Sequence, residues 1–290
     1  MKKLFCLITI VFLMLFLLPS AARAQYDQSR FAFKAYGGVN YLSGGEYDKG
    51  AVGFGQTWFT MLQLLGLSPS GAFASAHWGM DFGGDFIFQV TPDIGVGLGV
   101  EYISASNTSS IKYTPAVTGL NYSWKSTPNA IPIKATFYYF LPTGGNLKFF
   151  FNAGLGYYFA KANYETEFYA LIAPPAKAVS DTSGGGLGFH GGIGMEVGLS
   201  PMISLIVEAR GRYASFSNFT GSAAWTFPLG GATAFTDSNA KLWYTDYDYL
   251  SLGTQGWLWT ASITPAGTSP HQASVDFSGF SFLLGFVFHF

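Results

Sequence analysis

Residues 77–104 read HWGMDFGGDFIFQVTPDIGVGLGVEYIS. Trp78, Met80, Phe82, Phe86, Phe88 and Val90 alternate with His77, Asp81, Asp85 and Gln89. After Thr91-Pro92-Asp93 the alternation resumes: Ile94, Val96, Leu98, Val100 and Tyr102 against Gly95, Gly97, Gly99 and Glu101. A period of two places successive side chains on opposite faces of a strand. Proline in the three-residue break marks a tight turn. The stretch is therefore a β-hairpin with one continuous apolar face and one face of small and charged residues.

The same pattern recurs outward from this hairpin. Segments 30–41, 131–140, 148–160, 187–199, 203–213 and 274–290 each put aromatics and branched aliphatics on one face. With the hairpin they make eight strands. The connections 91–93, 141–147 and 200–202 are short; 42–76, 105–130, 161–186 and 214–273 are long. This alternation of short and long connections places both ends of the barrel segment on the short-turn side. Eight antiparallel strands, apolar outside and polar inside, predict a closed transmembrane β-barrel, all-β in class. A closed barrel pairs every backbone N–H and C=O within hydrocarbon, where water cannot do so.

Composition agrees. Charged residues are 11% of 290, aromatics 18%, and there are 37 glycines. Soluble domains average roughly 25% charged residues, and disordered chains lack aromatics on this scale. Lys2 and Lys3 precede an apolar run from Leu4 to Leu18, then Pro19-Ser20 and Ala22-Arg23-Ala24. These are the three regions of a secretory signal peptide, expected over residues 1–24, with the barrel domain over 25–290. The only cysteine, Cys6, lies inside that peptide. Cleavage would leave twelve basic residues against sixteen acidic ones, with no basic stripe, so nucleic acid is not an expected partner.

The signal peptide, the strand-turn-strand Phe86–Tyr102, the stretch Gly154-Leu155-Gly156-Tyr157-Tyr158 and the closing strand ending in Phe290 resemble the small OmpA/OmpX/OmpW-like outer-membrane β-barrel family. The resemblance covers about half of the mature chain, and none of these motifs is specific for one activity. It implies an outer-membrane location, contact with outer-membrane lipids, and an assembly signal in Phe286, Phe288 and Phe290 that the barrel-assembly machinery reads.

An eight-stranded barrel is wide enough only for its own side chains or one small ligand. The inward faces carry Lys34, Asp81, Asp85, Glu101, Lys134, Glu196, Glu208, Arg210 and Arg212. Across the 91–93 turn Asp85 falls near Glu101, and Lys134 is the nearest cation in strand order. Two readings fit: a charge network that plugs the barrel, or a polar constriction passing small solutes. Inward glycines leave room, and Tyr36, Tyr138, Phe140, Phe150 and Tyr158 could fill it.

Several motifs are set aside. Gly186 to Gly191 matches G-x-G-x-x-G but opens a strand, whereas the dinucleotide fingerprint needs a following helix. His77, His190, His271 and His289 lack metal-ligand spacing, so no metal, cofactor or catalytic residue is expected. A pairing of His190 with Asp81 or Asp85 would resemble the dyad of outer-membrane proteases; a barrel enzyme acting on lipid or peptide is the minority reading. All seven tryptophans fall in long connections or at their ends. TWFTMLQLLGL, 57–67, predicts a short helix in the first long loop. Trp58, Phe59, Trp243, Trp257 and Trp259 are the candidates for a vestibule over the barrel mouth. The expected function is an integral barrel with a structural or surface-interaction role; the alternative is a narrow channel for small, apolar solutes, as the OmpW-like resemblance implies.

Overall fold

The computed structural model describes residues 30–113, 119–143, 145–170, 173–227, 233–248 and 254–290. The expected signal peptide, 1–24, lies outside them. Among the described residues there are fifteen strands and one helix. They are β1 (Phe31–Gly44), α1 (Gly45–Leu64), β2 (Ser70–Ala72), β3 (Trp78–Thr91), β4 (Ile94–Ala105), β5 (Asn107–Tyr113), β6 (Leu120–Pro142), β7 (Leu147–Ala170), β8 (Ala173–Gly198), β9 (Ile203–Tyr213), β10 (Ser215–Phe216), β11 (Thr220–Phe227), β12 (Thr233–Asp248), β13 (Thr254–Ala261), β14 (Thr268–Gln272) and β15 (Val275–His289).

Eight strands close a ring by antiparallel pairing: β1–β3–β4–β6–β7–β8–β9–β15 and back to β1. The last seam sets Phe33 opposite Phe288 and Ala35 opposite Phe286. The fold is the expected transmembrane β-barrel. Its outer surface exposes Phe82, Phe86, Leu98, Ile133, Phe137, Leu155, Phe159, Leu187, Ile193 and Phe282, among others. Soluble proteins rarely expose a continuous apolar band of this extent.

The height of the band can be read from β7. Its outward residues Phe149, Phe151, Ala153, Leu155, Tyr157 and Phe159 are followed on the same face by Lys161, Asn163, Glu165 and Glu167. On β6, Ile131 is opposite Phe159 and Asn129 opposite Lys161. On β8, Gly185 meets Phe159 and Ser183 meets Lys161. Three strands thus change outward polarity at one level. From Phe149 to Phe159 is about 33 Å of strand at ~3.3 Å per residue. At a tilt of ~40° that is about 25 Å along the membrane normal, the height of a barrel's lipid-facing band.

Beyond that level the expected long loops are largely ordered strand. β6, β7 and β8 continue past the belt, and β11, β12 and β13 extend the sheet on one side, β5 and β2 on the other. Extra strands above the membrane are what the sequence allows for the connections 105–130, 161–186 and 214–273, and they are found there; what the sequence reading misses is that β6, β7 and β8 run on unbroken from the barrel. The reason is a reversal of facing. Above the belt Ala162, Tyr164, Thr166 and Phe168 point inward while the outward positions are polar, so a test for apolar-out alternation ends at Ala160.

The helix also departs from expectation, starting at Gly45 rather than Thr57 and ending at Leu64. Glycines at 45, 50, 53 and 55 are poor helix formers, which hid the first half. Their use is close approach: a Cβ on Gly53 would lie 2.2 Å from the Gly256 carbonyl oxygen of β13. α1 packs against β13 of the upper sheet, with Tyr47 fully buried and its hydroxyl donating to the Asn163 carbonyl at 2.5 Å.

The interior has three layers. Next to the short turns lies an apolar cluster of Ala32, Ile87, Phe140, Phe150, Ile206, Leu283 and Val287. A charged layer follows. Above it Tyr158, Ala160, Phe216, Phe219 and Phe277 join the helix residues Tyr47, Ala51 and Leu62 in a second apolar core.

Candidate functional site

The charged layer is built by register. Lys34 on β1 is directly opposite Asp85 on β3. Gly99 on β4 stands between Asp85 and Lys134. A Cβ at Gly99 would lie 1.9 Å from Asp85 Oδ1, so glycine there is what lets the two charged side chains meet.

Lys134 Nζ is 2.5 Å from Glu101 and 3.4 Å from Asp85. It is not their only cation. Arg210 is 2.7 Å from Glu101 and 4.0 Å from Asp85, and Lys34 is 3.7 Å from Asp85. Glu208 holds Lys34 at 2.5 Å and Arg210 at 2.8 Å. Arg212 bridges Asp81 and Glu101, each at 3.3 Å. Eight of the nine sequence-derived residues therefore form one connected group, four acids and four bases, all buried. Glu196 is the exception: it sits nearer the short turns and pairs with His289 at 2.9 Å.

Tyrosines complete the layer. The Tyr36 hydroxyl donates to Glu101 at 3.0 Å and accepts from Lys134 at 2.5 Å and Arg210 at 3.2 Å. Its ring lies 4.8–5.2 Å from Lys34, Lys134 and Arg210, within cation–π range. Tyr138 donates to Asp85 at 2.7 Å, and Asn152 to Glu208 at 3.0 Å. Below this layer Ala32, Ile87, Phe140, Phe150, Ile206 and Val287 line a half-open void of about 10 Å³, the lower limit for a single water. Ile87, Ile206, Leu283 and Val287 were not expected inside. They lie on faces read as polar because neighbouring inward positions are charged or glycine.

A second site lies above the belt. Phe54 and Trp58 of α1, Tyr122 and Trp124 of β6, Tyr164, Thr166 and Phe168 of β7, Ala176 to Ala178 of β8, Trp225 of β11, and Leu258 and Trp259 of β13 line a half-open cavity of about 400 Å³. Trp124 stacks on Tyr164 with centroids 4.6 Å apart. Trp58 meets Phe168 edge-on at 5.7 Å. Of the five vestibule candidates, Trp58 and Trp259 line this cavity. Trp257 stands behind Phe54 at 4.9 Å and donates to Thr57. Phe59 packs against the upper core, and Trp243 donates to the Ala261 carbonyl; neither lines the cavity. Tyr122, Tyr164, Phe168 and Phe54 were missed, though the inward run on β7 after residue 160 carries the signal for two of them.

The histidines hold structural positions. His190 contacts the Thr136 hydroxyl at 3.0 Å rather than Asp81 or Asp85; the dyad weighed from sequence is not formed. His77 bonds the Leu42 carbonyl at 2.7 Å. No cluster of three or more His, Cys, Asp or Glu side chains suited to a metal ion occurs among the described residues.

Outside the membrane, His271 of β14 pairs with Glu46 of α1 at 2.9 Å, and Ser274 donates to the same carboxylate. Partial burial works against the Glu46 charge, but the bonds from His271 and Ser274 outweigh it and hold the carboxyl below its usual range. The bond to Glu46 raises His271. The His271 contribution is full below about pH 6.5 and fades as pH rises through its raised folded value. That of Glu46 is full above about pH 4.3 and fades as pH falls through its lowered value. Protection of backbone amides around residues 271–276 against hydrogen exchange is expected to peak near about pH 5–6. His271→Gln should flatten the alkaline side of that profile; an unchanged profile would show that the pair does not tie the helix to the sheet.

No protein-family model and no curated protein matches this chain. Among solved structures it is similar to the outer membrane protein OprG from Pseudomonas aeruginosa, with 11% identity, 92% of this chain and 99% of that chain covered, and a TM-score of 0.34. It is also similar to the outer membrane protease OmpT from Escherichia coli, at 9% identity, 94% and 100% coverage and a TM-score of 0.26. A Pseudomonas aeruginosa FadL homologue follows at 9% identity, 91% of each chain and a TM-score of 0.18. Identities of this size transfer no residue role.

Proposed function

We propose that this chain is an integral outer-membrane barrel with a sealed lumen, whose part beyond the membrane binds small apolar molecules. The N-terminal export signal read from Lys2 to Ala24 and the closed barrel support the outer membrane, since barrels are the spanning form used there. Outer-membrane lipids are then the partners of the aromatic belt, and the barrel-assembly machinery a transient one. The reading is a surface-interaction role and assigns no catalytic residue. Against the narrow-channel alternative stands the packing of the lumen, with two apolar layers enclosing a group in which every charged side chain has an ion-pair partner.

The observation that carries the proposal is the aromatic cavity. Its eight aromatic side chains and about 400 Å³ fall in the size and character range of small-molecule sites. Trp58 and Trp259 would report occupancy. In lipid nanodiscs, naphthalene should quench tryptophan fluorescence saturably. Ala178→Phe, which places a ring in the cavity, should weaken that binding by tenfold or more. Quenching that never saturates and is equal in the variant would remove the proposal.

A further inference from the structure

We propose that a second, polar cleft, beside α1 and level with the membrane boundary, holds the sugar headgroup of a membrane glycolipid. The inference is independent of the aromatic cavity and rests on the membrane-barrel reading alone.

One side of the barrel is low. β6, β7 and β8 run on above the belt, whereas β1 ends at Gly44, β9 ends at Tyr213, and β3 and β15 begin at Trp78 and Val275. The rim of this low wall is aromatic on the outside. Tyr41 stacks on Phe280 at 5.4 Å and meets Trp78 edge-on at the same distance. Trp78 is 62% exposed. Aromatic girdles of this kind sit at the membrane–water interface. One step further along the same faces the residues turn polar. Ser43 follows Tyr41, Ser215 follows Tyr213, and Asp276, paired with Ser215, lies beyond Phe280. These three line a half-open cleft of about 810 Å³, together with one side of α1 and Gln255 and Gly256 of β13. The cleft therefore lies where lipid headgroups lie.

Its chemistry suits a sugar. The side chains of Ser43, Gln56, Ser75, Ser215 and Gln255 make no hydrogen bond among the described residues. Each is exposed or half-buried, within reach of a ligand. Amides and hydroxyls both donate and accept, as the hydroxyls of a saccharide require. A phosphate is disfavoured: Glu46, Asp48 and Asp276 put three carboxylates in the lining, and Lys49 is its only lysine or arginine. The acyl chains of such a lipid would lie below the rim on Met80, Phe82 and Phe282, all exposed on the outer face. That continuity with the lipid-facing surface favours a membrane lipid over a soluble saccharide.

Tryptophan quenching tests this on the full chain in phosphatidylcholine nanodiscs. A minor fraction of the lipid carries brominated acyl chains, either as a diglucosyl diacylglycerol or as phosphatidylglycerol. Subtracting the Trp78→Phe variant isolates quenching at the rim. The glycolipid should be enriched there about fivefold over phosphatidylglycerol, the worth of one neutral hydrogen bond. Gln56→Ala combined with Gln255→Ala should abolish that preference and leave quenching by phosphatidylglycerol unchanged. If the double variant does not fold, the parent's ratio decides. Equal quenching by the two lipids, stronger quenching by phosphatidylglycerol, or a preference that survives the double variant would overturn the proposal. Free maltotriose should leave quenching by the glycolipid unchanged; displacement would make a soluble saccharide the occupant and overturn the lipid as its source. No quenching of Trp78 by either lipid would instead overturn the lipid-facing placement of the rim.

Discussion

Lys134→Met is expected to destabilise the barrel by about 3 kcal/mol, the lower end of the cost of removing one partner from a buried ion pair. The physical reason is local neutrality. Four acids and four bases share the charged layer, and the variant leaves one acid in excess in a space without bulk water. The loss falls first on Glu101, which keeps Arg210 and Arg212, and on Asp85, which keeps Lys34 and Arg210 at longer range. Those remaining cations are why the lower end applies. Lys134→Met combined with Glu101→Gln leaves three charges of each sign and should recover much of the stability. Urea titration of the heat-modifiable folded band would measure both. A single variant as stable as the parent would show that the layer is screened by water and not coupled.

Replacing Phe286, Phe288 and Phe290 together with serine should have the larger effect in cells. All three side chains are exposed on the lipid face. β15 is also the strand that closes the ring, pairing with β1 on one side and β9 on the other. Burying a Phe side chain is worth roughly 1.5–3 kcal/mol, so the triple variant forgoes a sum comparable to the whole stability of a typical domain. It also removes the proposed assembly signal. The folded protein in the membrane fraction should fall to a small part of the parent level. Normal levels would contradict both the lipid-facing assignment of β15 and the signal.

The barrel was legible in the sequence because lipid imposes one rule on every strand. Trp78 to Val90, with Gly84 the one outward gap, and Ile94 to Tyr102 obey it, and strand order alone brought Asp85, Glu101 and Lys134 together. The partner Arg210 needed the ring to close, because β1 meets β9 only through β15, whereas Lys34 and Tyr36 stand on β1 beside β3. The apolar floor of Ile87, Ile206, Leu283 and Val287 stayed hidden, since a small barrel's inward face obeys no single rule: it takes whatever fills the space. Extra strands above the membrane were expected, but their continuity with the barrel was hidden by the reversal of polarity between Phe159 and Lys161, which ends one alternation and begins another in the same strand. The first half of α1 was hidden by glycines that serve its packing on β13. The aromatic cavity draws on six elements, so its tryptophans were visible as a group while the set that shares one wall was not.

The sealed lumen separates this account from a channel, and conductance tests it most directly. Purified protein, shown to be folded by its heat-modifiable migration, is incorporated into planar bilayers and recorded at both polarities. With the charged layer paired and a void of only about 10 Å³ beneath it, no discrete conductance steps above the bare bilayer are expected. Reproducible single-channel steps from the parent protein would contradict the sealed barrel.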